Sequence, residues 1–429
     1  MGLHSIRLPH HKAAAEMPTA RAYSPSKVVI SMSQHGGVPC TPLVQVGDEV
    51  KTGQLIGSSD AVISAPVHAS ITGKVTAFTD IIGIGGKRNT AVVIEASNRQ
   101  ELHPDIKPPE VTDRKSFIEA VKNSGSVGLG GAGFPTYVKL NFDPKASKVD
   151  SLVVNAAECE PYITSDYRAI VENSGELING IKLLMKYLEI PNAYIGVESN
   201  KAKAISLLTE KCAGEKGIHV KKLPSTYPQG AEKVMIYNVT GRVLKEGELP
   251  LAAGCLVMNC SSVIFISEYM KTGIPLIKRR ITIDGNIVNK PTNITVPVGT
   301  LLSDVLKIAN LRKQPNRVIF GGPMMGSSVY DPETPIMKTN NAVLFFEGTS
   351  AGAAQPTACI RCGRCVRACS LNLMPTELES AYDAKDIERL KKLKVNLCMN
   401  CGACSYVCPA KRNLSEKNQL AKIMLRNGG

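Results

Sequence analysis

The alternation of apolar and polar positions divides the chain into regions of different predicted structure. Over residues 28–95, short Val- and Ile-rich runs alternate with Gly turns, a pattern that is typical of β-strands. Over residues 113–270, amphipathic helices alternate with apolar strands, which predicts an α/β region with a partly parallel sheet. Over residues 274–330 the β pattern returns, with a hairpin turn at Asp284 and Gly285, one short helix and a further strand.

The α/β region has the clearest individual elements. An amphipathic helix ends at Gly125, and a Gly-rich loop follows it. Beyond that loop we expect strands and helices in alternation, over residues 151–157 (strand), 166–188 (helix), 193–198 (strand) and 200–213 (helix).

Two stretches predict linkers between domains. Residues 98–112 are polar and rich in Pro, and residues 348–357 are small and polar. The predicted domains are therefore a β domain with an extended N-terminus and a linker (1–112), an α/β domain (113–273), a second β domain with one helix (274–347), and a linker followed by a separate tail (348–429).

Composition and charge exclude several classes of protein. A length of 429 residues with 43% hydrophobic residues fits a globular chain of about three domains and excludes a disordered or collagen-like one. Aromatic residues are only 5% and Trp is absent, so a stacking platform for nucleic acid is not expected despite a net charge of +14. No signal peptide and no apolar run of about 20 residues is found, so we expect a cytoplasmic protein that reaches a membrane through partners or its positive charge.

Cysteines are concentrated in the tail. Eight of the 13 lie in the last 71 residues, in two runs with the same x2-x2-x3 spacing, and Pro409 follows the second run. This spacing is that of bacterial two-cluster ferredoxins, in which the fourth Cys of each run ligates the other cluster. We therefore assign one [4Fe–4S] cluster to Cys359, Cys362, Cys365 and Cys408, and the other to Cys398, Cys401, Cys404 and Cys369. Two zinc ions are the alternative, which the repeated three-step spacing and the closing Cys-Pro disfavour.

The rest of the tail fits this assignment. A helix predicted over residues 377–393 carries apolar side chains at helical spacing, which we expect to pack as a core. Residues 359–429 contain 13 Lys and Arg against 6 Asp and Glu, a difference of +7. These basic residues either compensate the negative charge of the clusters and attract an acidic electron-transfer partner, or simply form a solvated basic surface.

The Gly-rich loop satisfies G-x-G-x-x-G at Gly128, Gly130 and Gly133. Glycines let a backbone approach a phosphate or a flat ring, and Pro135 suits the first turn of a helix whose N–H groups face an anion. The bare pattern fits a nucleotide site or a plain turn equally well.

The longer strings GLGGAGFPTYVK and VVNAAECEP resemble the flavin- and NADH-binding subunit of respiratory complex I. The resemblance implies a Rossmann-like domain that binds FMN non-covalently and NAD(H) as substrate. It places the loop with Lys139 at the FMN phosphate side, Asn155 and Glu158 at the flavin, and Phe134 and Glu160 at the nicotinamide nucleotide. The implied cofactor-binding residues are Gly128, Gly130, Gly131, Gly133, Phe134, Lys139, Asn155, Glu158, Glu160, Gly230, Glu232 and Asn259. Leu129, Ala157 and Ala231 stand where that family has Arg, Asp and Glu.

The two β domains also resemble known classes. VGDEVKTGQLIG and APVHASITGKVTAF are similar to the barrel-sandwich (biotinyl/lipoyl-like) fold, but the hairpin tip at residues 59–63 has no Lys for a cofactor, which indicates a scaffold. Residues 274–347 resemble a β-grasp domain of the soluble-ligand-binding type.

The order of the four domains, together with SAPVHASITGKV and FGGPMMG, is similar to the C subunit family of Rnf ion-translocating electron-transport complexes. The resemblance implies a peripheral subunit on the cytoplasmic face of a bacterial cell membrane that relays electrons between NAD(H) and partners. The implied partners are integral-membrane redox subunits, an Fe–S subunit and ferredoxin. A corrin (cobalamin) reductase of diol-utilisation microcompartments and a non-enzymatic Fe–S relay are the alternatives.

Overall fold

The computed structural model describes residues 4–82, 88–348 and 355–427. The N-terminal β domain consists of two antiparallel sheets, with strand orders β1-β7-β6-β3 and β2-β4-β5. Its strands are β1 (Lys27–Ser31), β2 (Thr41–Pro42), β3 (Glu49–Val50), β4 (Leu55–Ser58), β5 (Val67–His68), β6 (Gly73–Ile82) and β7 (Arg88–Ala96). Alternate apolar residues of both sheets, such as Ile30, Ile56 and Ile94, meet in one buried core, which confirms the predicted β pattern.

The α/β domain contains a four-stranded parallel sheet in the order β10-β9-β8-β11. Its elements are α1 (Arg114–Asn123), α2 (Thr136–Leu140), β8 (Ser151–Ala156), α3 (Ser165–Glu172), α4 (Ser174–Leu188), β9 (Asn192–Glu198), α5 (Ala202–Lys211), β10 (Ile218–Leu223), α6 (Glu232–Thr240), β11 (Cys255–Asn259) and α7 (Cys260–Thr272). Helices cover the sheet, and β8, β9 and β11 are mostly buried and apolar, as is typical of covered parallel strands. The edge strand β10 differs, because His219, Lys221 and Lys222 are exposed.

One predicted helix is wrong in its length. The segment 166–188 forms α3 and α4, which are separated at Asn173 (φ −125°, ψ 33°). Asn173 is followed by Ser and Gly, a composition that favours a turn, and its side chain accepts a hydrogen bond from Arg280 at 3.0 Å. Apolar periodicity alone does not reveal such a break, because both helices pack on the same core.

The third domain is a five-stranded mixed sheet in the order β13-β12-β16-β14-β15. Its elements are β12 (Lys278–Asp284), β13 (Thr292–Pro297), α8 (Leu302–Ile308), β14 (Arg317–Phe320), β15 (Ser327–Val329) and β16 (Ala342–Phe346). The central pair β12 and β16 is parallel and the other pairs are antiparallel. Leu302 and Val305 of α8 pack on Ile281 and Ile283 of the sheet.

The cysteine-rich tail is helical. Its elements are α9 (Arg364–Arg367), α10 (Pro375–Asp383), α11 (Ile387–Lys392), α12 (Ala403–Tyr406) and α13 (Leu414–Asn427). The predicted helix over residues 377–393 is interrupted, because Lys385 adopts φ +54° and Asp386 begins α11 by accepting a hydrogen bond from the Arg389 N–H at 2.9 Å. Its apolar side chains nevertheless form the expected core, with Leu378 and Leu390 fully buried.

An extended N-terminal segment connects three domains. Ile6 pairs with Tyr227 of the α/β domain, and Ala20 pairs with Ile294 of the mixed sheet. The Ser370 hydroxyl of the tail donates to the His4 carbonyl at 2.7 Å. Most of the predicted linker 348–357 lies outside the described residues. Across the parts of the chain that the structure describes, no helix is both long enough and apolar enough to span a membrane.

Candidate functional site

A cavity of about 1290 Å³ lies at the carboxyl ends of β8 and β11. Asn259 is the last residue of β11 and pairs in register with Asn155, the penultimate residue of β8, and both line the cavity. Ligands of open α/β sheets bind at such strand ends. The volume exceeds the range of about 300–1,000 Å³ that is typical of one small-molecule site. The cavity is therefore large enough for more than one ligand.

The Gly-rich loop forms one wall of the cavity. Two hydrogen bonds close it, from the Gly128 N–H to the Phe134 carbonyl (2.8 Å) and from the Gly133 N–H to the Gly128 carbonyl (3.1 Å). Gly131 has φ +105°, a conformation that other residues rarely adopt, and Gly130 and Gly131 are exposed in the cavity. The loop thus presents bare backbone to a ligand.

Asn155 and Asn259 position the loops around the cavity. The Asn155 Nδ2 donates to the Gly230 carbonyl at 2.8 Å, which fixes the loop before α6. The Asn259 Nδ2 donates to Asp166 at 2.7 Å, and its Oδ1 accepts from the Ser261 N–H at 2.9 Å and so caps α7. These hydrogen bonds restrict the movement of the loop before α6 and of the start of α7 at the floor of the cavity.

The cavity is lined by eight of the twelve predicted cofactor-binding residues, namely Gly130, Gly131, Asn155, Glu158, Glu160, Gly230, Glu232 and Asn259. Gly128, Gly133, Phe134 and Lys139 lie outside the lining. Phe134 is half-buried and its carbonyl closes the loop, so its expected contact with a nucleotide stays a prediction. Lys139 instead forms an ion pair with Glu232 at the cavity edge.

Glu158 is held by hydrogen bonds between side chains and backbone. Its carboxylate accepts from the Asp166 N–H at 2.7 Å at the start of α3. Lys12, from the N-terminal segment, donates to the carbonyls of Glu158 (2.9 Å), Glu160 (2.7 Å) and Ile163 (2.5 Å). Burial raises the pKa of Glu158 to about 7, against the opposing effect of Lys12. Burial also lowers the pKa of Lys12 to about 8, against the effect of Glu158.

Sequence reasoning missed Lys12. It lies 146 residues before Glu158, in a segment with no periodic pattern, and no motif marks it. Only the tertiary fold brings the N-terminal segment under the site.

Glu160 is the cavity residue with an unused hydrogen-bonding atom. Its Oε2 accepts from the Met324 N–H at 3.0 Å, in the FGGPMMG segment after β14. Its Oε1 is buried and has no partner among the described residues. Burial raises the pKa of Glu160 to about 7. A side chain at Gly322 would come within 2.2 Å of Oε2, so this close approach requires glycine.

The differences from the complex I pattern have separate structural consequences. The Leu129 side chain is buried in an apolar cluster with Ala65, Val127 and Leu276, away from the cavity. Ala157 is also fully buried. Of the three replaced positions, only Ala231 lines the cavity.

The crossed assignment divides the eight tail cysteines into two groups, which adjoin, because Cys404 of one group shares an apolar cluster with Cys365 and Cys408 of the other. Cys369, Cys398, Cys401 and Cys404 form the inner group, in which the neighbouring thiols of Cys369 and Cys398 add to the effect of burial on Cys401 and Cys404. Burial raises the pKa of Cys401 to about 11 and that of Cys404 to about 12. The outer group consists of Cys359, Cys362, Cys365 and Cys408. Burial raises the pKa of Cys365, and the Cys408 and Cys359 thiols act in the same direction.

The inner group lies against the cavity. Its neighbours in sequence, Leu371, Leu397 and Met399, line the cavity. The Tyr227 hydroxyl donates to the Cys401 carbonyl at 2.6 Å, and Tyr227 and Cys159 share one apolar cluster with Cys401. A continuous packed path therefore joins the cavity to the inner group.

Comparisons with known proteins agree with this arrangement. Three family models match the chain: the RnfC barrel sandwich hybrid domain (residues 3–99), the Nuo51 FMN-binding domain (residues 121–268) and the 4Fe-4S dicluster domain (residues 358–411). The C subunit of the proton-translocating ferredoxin:NAD(+) oxidoreductase complex of Clostridium ljungdahlii is 40% identical over 390 residues, which cover 90% of this chain and 85% of that protein. The chain belongs to this C-subunit family.

Further relatives support that membership. The C subunit of the Na(+)-translocating ferredoxin:NAD(+) oxidoreductase complex of Acetobacterium woodii is 40% identical over 378 residues, 87% of this chain and 85% of that protein. The C subunit of the ion-translocating oxidoreductase complex of Rhodobacter capsulatus is 32% identical over 400 residues, 91% of this chain and 76% of that protein. The structure of an NAD+-reducing [NiFe]-hydrogenase in the air-oxidized state has the same fold, with a TM-score of 0.53 at 17% identity, over 74% of this chain and 62% of that one.

FMN and [4Fe–4S] clusters are the cofactors of this chain, and its residues fit them. The exposed backbone at Gly131 and the unpaired Oε1 of Glu160 suit a flat, hydrogen-bonding ligand. Two groups of four thiols suit two clusters, since thiolates are the ligands of iron–sulfur centres. Among the described residues, no set of three or more His, Cys, Asp or Glu side chains is spaced to hold a single metal ion.

Proposed function

We propose that this chain passes electrons between NAD(H), bound in the cavity, and other subunits of an ion-translocating ferredoxin:NAD(+) oxidoreductase complex. The observation that carries the proposal is the direct packing of the inner cysteine group on the cavity, through Tyr227 and Cys401. A site for hydride chemistry and a site for single electrons are thus in contact within one chain.

The roles of the cavity residues follow from their geometry. The backbone of Gly130 and Gly131 supports the flavin side of the ligand, and Asn155 and Asn259 hold the surrounding loops. Glu160 offers Oε1 to a hydroxyl group of the nucleotide. When bound, FMN supplies the conversion between two-electron and one-electron transfer, which nicotinamide and iron–sulfur centres cannot perform alone. The chain itself therefore needs no acid–base pair.

The proposal includes the classes of two domains, the side of the membrane and the kinds of partner. We assign residues 274–347 to the β-grasp class on the basis of the mixed sheet and α8, and residues 113–273 to the Rossmann-like class. We place the subunit on the cytoplasmic face of the membrane, with integral-membrane redox subunits, an Fe–S subunit and ferredoxin as partners. The relatives named above translocate different ions, protons or Na+, so the ion is left open.

The test is the absorption spectrum of the full chain purified without oxygen. We expect one non-covalent FMN and about eight irons per chain, and bleaching of the flavin by NADH. Flavin that NADH cannot bleach would support a non-enzymatic Fe–S relay instead. Stoichiometric zinc would refute the cluster assignment.

A further inference from the structure

The inner and outer cysteine groups differ in what lies beside them. The inner group faces the cavity through Leu371, Leu397 and Met399. In the outer group, Cys359 is exposed to solvent. The neighbouring Ile360 is 67% exposed, although it is apolar. The outer group therefore lies where a second protein could approach it.

A second, shallower pocket of about 640 Å³ adjoins the outer group at Cys408. Its polar lining is basic, with Arg364, Arg367 and Lys411, and no Asp or Glu of the described residues lines it. The pocket also carries Tyr406, an aromatic residue that is 50% exposed. Basic residues with exposed apolar groups between them are typical of surfaces that bind acidic proteins.

The cations of this face have no acidic partners within the described parts of the chain. The side chains of Arg361, Arg364 and Lys411 are exposed and form no ion pair with any described residue. Some basic residues elsewhere in the tail are paired, as Arg412 is with Glu379 at 2.6 Å, and others, such as Lys385 and Lys392, also form no ion pair with any described residue. The pocket beside the outer group therefore carries positive charge that no described acidic residue neutralises.

We propose that the outer group and the basic pocket form the docking face for an acidic iron–sulfur protein. The proposal rests on the proposed function and assigns a different role to each group. The inner group exchanges electrons with the cavity, and the outer group exchanges them with the partner protein. One electron crosses this face in each encounter, and two encounters balance the electron pair of NAD(H). No bond forms or breaks at the face, and no proton is transferred there.

The test measures binding of an acidic 2[4Fe–4S] ferredoxin, as the probe, to the full-length holoprotein by anaerobic calorimetry. The docking variant reverses three unpaired charges: Arg361→Glu, Arg364→Glu and Lys411→Glu. The matched control reverses three exposed, unpaired lysines of the α/β domain: Lys211→Glu, Lys216→Glu and Lys222→Glu. A milder variant carries Gln at the three docking positions, in case charge reversal prevents cluster assembly. Iron, flavin and NADH bleaching are measured on every preparation.

We expect the docking variant to bind the probe at least about tenfold more weakly at low salt, with the difference from wild type shrinking at high salt because ions screen exposed charges. The Gln variant should show a smaller loss in the same direction, and the control should bind as wild type does. Normal NADH bleaching in these variants separates a failure of docking from a failure of the proposed function.

Three results would overturn the proposal. The first is unchanged probe affinity in the docking variant. The second is an equal loss in the control, which would indicate a general charge effect. The third is saturable binding of inorganic pyrophosphate to the wild type without binding of the probe, which would assign the basic pocket to a small anion.

Discussion

Replacing Glu160 by Gln separates nucleotide binding from the rest of the site. The amide can still accept from the Met324 N–H through its oxygen, so the FGGPMMG segment should keep its position. The change removes the negative charge and the acceptor at Oε1, the atom that is buried without a partner among the described residues. A hydrogen bond to a charged group contributes about 1.5–3 kcal/mol, so the dissociation constant for NADH should rise roughly 10- to 150-fold.

The raised pKa of Glu160 makes the same prediction dependent on pH. Because its pKa is about 7, the carboxylate becomes available to a hydroxyl donor only as the pH rises through 7. NADH affinity of the wild type should therefore increase across this interval, and that of the Gln variant should not follow it. The contribution of Glu160 to folding stability changes with pH in the opposite direction. The folded state binds more protons than the unfolded state between pH 4.5 and 7, so this group makes the protein less stable as the pH rises.

Stopped-flow bleaching of the flavin by NADH at several pH values measures the effect. Reduction of the clusters by dithionite should be unchanged, because the substitution lies outside both cysteine groups. Glu198→Gln is the matched control, since Glu198 is also buried with a raised pKa but pairs with Lys201 and does not line the cavity. An NADH constant and pH profile in the Glu160 variant that equal those of the wild type would refute the assigned contact.

Three further changes test other parts of the structure. Cys362→Ala should remove about half of the iron and leave the flavin content unchanged, as iron and FMN analyses of the same sample would show; equal loss of both would contradict separate sites. Gly131→Val should give folded, flavin-free protein, because φ +105° strains a branched residue and its side chain covers the exposed backbone. Gly214→Val is its control, since Gly214 also has positive φ and open space around it but lies outside the cavity. Flavin loss in both variants would show that backbone strain, and not the blocked ligand site, causes the effect. Lys12→Met should lower the free energy of unfolding by about 2–4 kcal/mol, because three partly buried carbonyls lose their donor; a urea titration that shows no loss would mean that water replaces the ammonium.

Local elements were predictable where one physical rule dominates. Parallel strands such as β8 and β9 are continuous apolar runs, and their bounds agree with prediction within a residue or two. The breaks at Asn173 and Lys385 were not predictable, because the helices on both sides pack on one core and preserve the apolar period. The backbone conformation of a single residue breaks each helix, and the spacing of apolar residues does not reveal it.

Site residues were predictable where they belong to a continuous string. The Gly-rich loop and the segment from Asn155 to Glu160 are such strings, and they meet in the cavity. Lys12, Tyr227 and the FGGPMMG backbone reach the site from distant parts of the chain, so no spacing rule relates them to it. The assignment of Phe134 to the nucleotide stays a prediction, since Phe134 lies outside the cavity lining and its carbonyl closes the loop.

The packing of the tail changes how the linker should be understood. The linker predicted over residues 348–357 implies a separate module, yet the described part of the tail supplies Leu371, Leu397 and Met399 to the cavity wall. The N-terminal segment strengthens this attachment, because Ile6 pairs with Tyr227 while the adjacent His4 carbonyl accepts from Ser370 of the tail. Domain boundaries in the sequence therefore do not coincide with functional boundaries here. Electron transfer between the cavity and the inner cysteine group depends on the distance between them. Contacts made by the N-terminal segment and by the tail hold the two together, so this distance does not depend on the linker.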